Sequence, residues 1–145
     1  MADWKQEAKE ELRDYEAKRN ATQNMPEEIC QLESQMMKLG GSSNSAPVKG
    51  GGSNWEDRMI NLIVKIDNLK TSLKYAEEWV AKVENGLAVL NAEERLVLDR
   101  LHINPAKGNL DRLCGELCLE KSAVYERRDK ALRRYTLARR GCVEV

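Results

Sequence analysis

At 145 residues the chain is long enough for one average domain, or for a small domain carried on an extended helical element, and too short for a large enzyme. Charged residues make up 33% and aromatics 5%, with no phenylalanine, so bulky core-fillers are few and much of the length is expected to be helix with a narrow apolar stripe. The formal net charge of zero averages unlike parts: residues 1–40 hold six basic and nine acidic side chains, whereas residues 121–140 hold eight basic and two acidic.

The chain opens Met1-Ala2-Asp3-Trp4-Lys5-Gln6-Glu7, acidic where a signal peptide would be basic and then apolar, and no run of eighteen apolar residues follows. A cytoplasmic protein without membrane attachment is expected, with Cys30, Cys114, Cys118 and Cys142 as thiols. Trp4, Ala8, Leu12 and Tyr15, then Met25, Ile29, Leu32, Met36 and Leu39, recur in steps of three and four, the seam of an amphipathic helix over residues 1–39. Pro26 interrupts it, and Asn24-Met25-Pro26-Glu27 reads equally as a kink or as the cap and first turn of a second helix.

Residues 40–54, rich in glycine and serine, have little to bury and much backbone entropy to lose, which predicts a flexible linker. Ser53-Asn54-Trp55-Glu56 then has the capping-box spacing. From there Met59, Leu62, Ile66, Leu69, Leu73, Ala76, Val80, Val83, Leu87 and Leu90 keep a heptad alternation over residues 55–90. Such a helix is about 54 Å long and needs a helical partner for its stripe. That partner is either the N-terminal helix folded back across the linker or the same helix of a second copy, a homo-oligomer through the heptads.

Asn91-Ala92-Glu93-Glu94 is a further capping signal, with acids in the first turn where the helix dipole favours them. Leu96, Val97, Leu98 and Leu101 give that helix its apolar face, and His102 through Gly108, with Pro105, ends it. Asn109 reads as the cap of a helix whose face is Leu110, Leu113, Cys114 and Leu117. Cys118-Leu119-Glu120 then forms a short connection to a third helix from Lys121. Two short helices joined by three residues have helix-turn-helix spacing, so residues 91–140 are expected as a trihelical module with 141–145 as a tail. The fold expected overall is all-α, a long helical hairpin or coiled coil followed by this module.

From Asn109 to Tyr135 the sequence resembles, without a gap, the promoter-reading C-terminal region of housekeeping sigma factors: Leu113 and Leu117 in the support helix, Leu119 in the turn, Val124 in the recognition helix and the closing Lys130-Ala-Leu-Arg-Arg134. Leu90-Asn-Ala-Glu-Glu-Arg-Leu-Val-Leu98 is similar to the helix that precedes this motif in the same proteins, so about 50 residues are covered. No counterpart of the domain that melts promoter DNA is present. A short chain with helical N-terminal segments and such a tail resembles the small phage and prophage transcriptional regulators of the ArpU and RinA type, whose Tyr-Arg-Arg-Lys-Lys-Lys-Ala-Leu pattern has a counterpart in Tyr125-Glu-Arg-Arg-Asp-Lys-Ala-Leu132.

The resemblance implies a sequence-specific DNA-binding regulator that reads a promoter or operator in double-stranded DNA, with RNA polymerase as a partner by analogy. Carried over by position, it gives base contacts to Lys121, Ser122, Ala123, Tyr125 and Glu126, near the start of a helix that fits the major groove. Arg112, Arg128, Lys130, Arg133 and Arg134 are placed to contact phosphates. The alternative is a coiled-coil interaction protein whose module docks on protein, RNA polymerase for example, and the acids Glu126 and Asp129 on the reading face favour it. Two residues depart from the sigma pattern. Cys118 stands where glycine is common because the backbone there often has positive φ, and Arg127 stands where a buried aliphatic is usual, so it must reach the rim or find a carboxylate.

No nucleophile with a base, paired carboxylate motif or phosphate loop is visible, so enzymatic activity, metal and cofactor are not expected. Cys114 and Cys118 read as small buried hydrophobes, and His102, the single histidine, as a helix-end residue near the last carbonyls.

Overall fold

The computed structural model describes residues 3–42 and 51–143, with the side chains of residues 41, 42 and 51–53 outside the description. The fold is all-α: α1 (Trp4–Ser42), α2 (Gly51–Ala88), α3 (Ala92–Leu98) continued by a π-helical turn (Asp99–Ile103), α4 (Asn109–Leu117) and α5 (Lys121–Arg140). No helix among the described residues is long and apolar enough to cross a membrane. The chain divides into two compact units, one built from Met1–Lys18 with Glu78–Val145 and the other from Arg19–Glu77.

Helices α1 and α2 both outrun their sequence signals. Residues 40–42 are the last turn of α1 and Gly51–Asn54 begin α2, so both ends of the predicted linker are helical, while residues 43–50 lie outside the described residues. The capping spacing at Ser53 is accordingly not where α2 starts. Pro26 lies exposed inside an unbroken α1, which settles the question of one helix or two.

In the unit formed by Arg19–Glu77, Ile29 and Leu32 of α1 and Ile66 of α2 are buried, with Met36, Leu62, Leu69 and Leu73 packed against them. The pairing is antiparallel. The Trp55 indole donates to the Leu39 carbonyl at 2.9 Å, and further along Lys70 Nζ meets Glu33 at 3.4 Å. The heptad stripe is therefore covered by α1 of the same chain. Ile60, Ile63 and Val64, which fall off the stripe, remain exposed.

The other unit has the larger core. Ala8, Leu12 and Tyr15 of α1, Val80, Val83 and Leu87 of α2, Leu98 and Ile103, and Ala131, Leu132 and Tyr135 of α5 form one buried cluster. Burying a leucine such as Leu12 or Leu132 fully stabilises the fold by about 2 kcal/mol. Edge contacts are amphipathic: Lys18 Nζ sits 4.0 Å from the centre of the Trp79 ring, and the Tyr15 hydroxyl donates to Glu84 at 2.7 Å.

At the end of α5 this core carries a buried ionic cluster. The Tyr135 hydroxyl donates to Glu11 Oε1, and Arg139 donates to both carboxylate oxygens of Glu11, at 3.2 and 3.4 Å. Arg140 reaches Glu11 at 3.7 Å and Glu7 at 2.6 Å. The Glu11 side chain is 9% exposed and that of Arg139 17%, so these charges are held out of water and depend on one another. Burial, and then the Glu11 hydrogen bond and charge, push the Tyr135 phenol well above its ordinary range, so it stays a donor.

Gly86 is what lets α2 lie this close. A Cβ there would stand 2.8 and 2.9 Å from two carbons of the Tyr135 ring, which is fully buried and anchored through its hydroxyl. Replacing Gly86 with alanine relieves about 1 kcal/mol of helix-propensity penalty but overpacks a fixed ring, at about 1–3 kcal/mol. Gly86→Ala is expected to lower the urea midpoint of unfolding with an unchanged slope, contrary to the gain that helix propensity alone would give.

Candidate nucleic-acid interface

The module expected over residues 91–140 is built on a second buried cluster, Val97 of α3, Leu113 of α4 and Val124 of α5, with Leu96, Leu101, Leu110, Cys114, Leu117 and Leu119 packed against it. Asn91 begins it as read from sequence. Its side chain accepts from the Glu94 N–H at 2.8 Å while Glu94 accepts from the Asn91 N–H at 3.0 Å, a complete capping box.

Helix α4 starts differently from the expectation. Gly108, at φ 84°, holds the capping position and Asn109 is the first helical residue, its side chain buried rather than capping. The Asn109 amide donates to the carbonyls of Arg100 and Asn104, at 3.0 and 3.1 Å, and so ties α4 to the π-helical turn. A longer-range need for donors at a distorted turn wins over the local capping preference.

The turn after α4 has the three residues read from the sequence, Cys118 to Glu120. Cys118 has φ 55° and ψ 44° and is the one non-glycine residue with positive φ among the described residues. Its N–H and that of Leu119 both go to the Cys114 carbonyl. Leu119 turns into the cluster, Glu120 is extended, and α5 begins at Lys121. Cys114 is half-buried against the cluster as expected, but Cys118 is exposed, because a left-handed residue at the helix end points its side chain away from the packed face.

Beyond the turn, the first turns of α5 carry the residues expected to read bases. Lys121, Ser122, Tyr125 and Glu126 are exposed and Ala123 is half-buried. Lys121 lies 3.8 Å from Asp111, both well exposed, a contact worth little. The Arg128 guanidinium lies 4.7 Å from the centre of the Tyr125 ring and bonds Asp129 at 3.1 Å.

The residues expected on phosphates separate into two groups. Arg112, Lys130 and Arg133 are exposed with no ion pair among the described residues. Arg128 and Arg134 are already paired within the chain: Arg128 with Asp129, and Arg134, though half exposed, donates to Glu94 at 2.5 Å and to the Val89 carbonyl at 3.0 Å. Arg127 finds the carboxylate its position demanded, pairing with Glu93. The acids in the first turn of α3 thus serve the helix dipole and the basic face of α5 together.

Two neighbours of this face have no local sequence signal. Lys5 of α1 pairs with Asp129 at 3.5 Å, and Trp4 lines a shallow groove with Glu126, Lys130 and Arg133. Trp4 is legible in sequence only as the first residue of an apolar stripe.

His102 lies in the π-helical turn, where its Nε2 is buried without a hydrogen-bond partner among the described residues. Burial, then the charges of Arg128 and Lys9, lower its pKa to about 4, with Asp129 opposing. The sequence places it near the last carbonyls of a helix end, but its Nε2 makes no hydrogen bond to them.

A scan against protein-family models and searches of curated proteins and of solved structures found no match to this chain.

Two stability measurements probe this geometry. Cys118→Gly removes left-handed strain of about 1–2 kcal/mol against a glycine entropy penalty of about 0.5–1 kcal/mol, so a small net rise in thermal midpoint is expected. His102 stays neutral in the fold down to about pH 4, whereas the unfolded chain takes up this proton near pH 6.5, so between those values the unfolded state binds more protons. Stability should decline as pH falls from 6.5 to 4, and chemical denaturation of His102→Gln across that window should give a flatter profile than the parent.

Proposed function

We propose that this chain is a sequence-specific DNA-binding transcriptional regulator of the small phage and prophage kind, laying the first turns of α5 in a major groove. The observation that carries the reading is the α4–turn–α5 unit. A left-handed Cys118 and an inward Leu119 form the turn between the short α4 and the longer α5, and Lys121, Ser122, Tyr125 and Glu126 are left exposed on α5. Those side chains offer a cationic donor, a hydroxyl, an aromatic face and a carboxylate, which suit guanine edges, either kind of base, a thymine methyl and the cytosine amine respectively. The same α5 is anchored at its far end by Glu11, so its groove-reading end stands on a rigid support.

Arg112, Lys130 and Arg133 are the phosphate contacts in this reading, since their charges are not already matched. Three neutralised phosphates predict a slope of about −2.7 in log affinity against log salt. Selection of bound duplexes from a random pool, followed by titration at several salt concentrations, measures it. Arg112→Gln, Lys130→Gln and Arg133→Gln should each flatten the slope by about 1, and failure to retain any duplex would overturn the reading.

A second reading, docking on a protein partner or a second copy, is favoured by exposed Ile60, Ile63 and Val64 on α2 and by the pairing of Arg128 and Arg134 within the chain. Lys121→Glu with Arg133→Glu separates the two: loss of duplex binding with unchanged mass in solution supports DNA, and a changed mass with no duplex binding supports protein.

A further inference from the structure

Away from α4 and the start of α5, a cleft of about 150 Å³ opens between the first turns of α1 and the π-helical turn. Gln6, Lys9, Glu10 and Arg13 form its α1 wall, with His102 and Pro105 opposite. Positions 6, 9, 10 and 13 share one face of a helix, so the two cations stand one turn apart on the same side. The volume is roughly five times the 30 Å³ of a water molecule in the liquid, room enough for a tetrahedral oxyanion.

The charges around it are unequal. Lys9 and Arg13 of α1 and Arg128 of α5 oppose Glu10 of α1 and Asp129 of α5. Of the two acids, Glu10 accepts from the Gln6 amide at 3.3 Å, and Asp129 is shared by Lys5 and Arg128. Arg13 also touches Asp14, at 3.7 Å between two exposed side chains. Lys9 has no ion pair among the described residues. The imidazole of His102 lines the cleft beside them, with its Nε2 buried away from solvent.

We propose that this cleft is a phosphate-binding site, in which Lys9 and Arg13 supply the charge and the hydrogen-bond donors and the imidazole of His102 forms the facing wall. Its basis is the cavity and its donors, so it stands apart from the base-reading role of α5. The phosphate is either a free anion or one on a nucleic-acid backbone.

Because His102 is the only histidine, its ring resonances report on the cleft alone. Inorganic phosphate, exchanged for chloride at constant ionic strength, should move them saturably and raise the His102 titration midpoint from about 4 by about one unit or more, a ten-fold change in proton affinity. Arg13→Gln and Lys9→Gln, at positions outside the buried core, should each weaken that response by about ten-fold with an unchanged helical spectrum. An absent or non-saturable shift, an equal shift in chloride, or a response that survives both substitutions overturns the site. Duplex DNA that reproduces the shift and is displaced by phosphate assigns the source to a nucleic-acid backbone. Duplex that leaves His102 unmoved, while phosphate shifts it, assigns a free anion. The phosphate arm keeps its meaning if no DNA sequence is ever selected.

Discussion

A buried carboxylate with more donors than oxygens organises the larger unit. Glu11 takes hydrogen bonds from Tyr135 and Arg139 and a longer contact from Arg140, and almost none of it faces water. Removing a charge from water is expensive, and only a full set of partners in good geometry offsets it. Each partner is therefore fixed by the others: Tyr135 is held by its hydroxyl, its ring sets the distance to α2, and Gly86 makes that distance attainable. The apolar stripes bring these helices together, while the carboxylate specifies how they meet.

The same principle changes the meaning of the basic tail. Counted along the sequence, residues 121–140 carry a large positive excess. In the fold, Glu93 answers Arg127, Glu94 answers Arg134, Asp129 answers Arg128, and Glu7 and Glu11 answer Arg139 and Arg140. Much of the positive charge is matched within the chain, and what is left unpaired is a smaller set of cations at defined places. The acids that answer this basic helix come both from α1, through Glu7 and Glu11, and from its own module, through Glu93, Glu94 and Asp129.

How much of this could be read beforehand depended on the range of the interaction. Stripes of three- and four-residue period, the Asn91 capping box and the left-handed position of Cys118 are set by neighbours within a few residues, and each stands in the structure where its local pattern puts it. The need of Arg127 for a carboxylate was legible, though Glu93 as its answer was not. Asn109 has the pattern of a cap, but its partners are the carbonyls of Arg100, in the π-helical turn, and of Asn104, just after it, which local preferences do not announce. The glycines at residues 40 and 51 were read as breaks, yet both lie in helices that continue past the last strong signal. Glu11, Gly86 and Lys5 carry no mark at all, since what makes them matter is a residue 49 to 128 positions away in the chain.

That separation bears on how the chain reaches this state. Bringing Glu11 to Tyr135 closes 124 residues of sequence, an entropic charge of about 4 kcal/mol that must be met before the contact returns anything. The cluster of Val97, Leu113 and Val124 closes 27 residues, at about 3 kcal/mol by the same relation. Closing the nearer cluster of α3, α4 and α5 thus costs about 1 kcal/mol less than closing the distant clasp. Glu7 and Glu11 act as a clasp between the two ends of the chain, since their partners Tyr135, Arg139 and Arg140 lie in the last turns of α5.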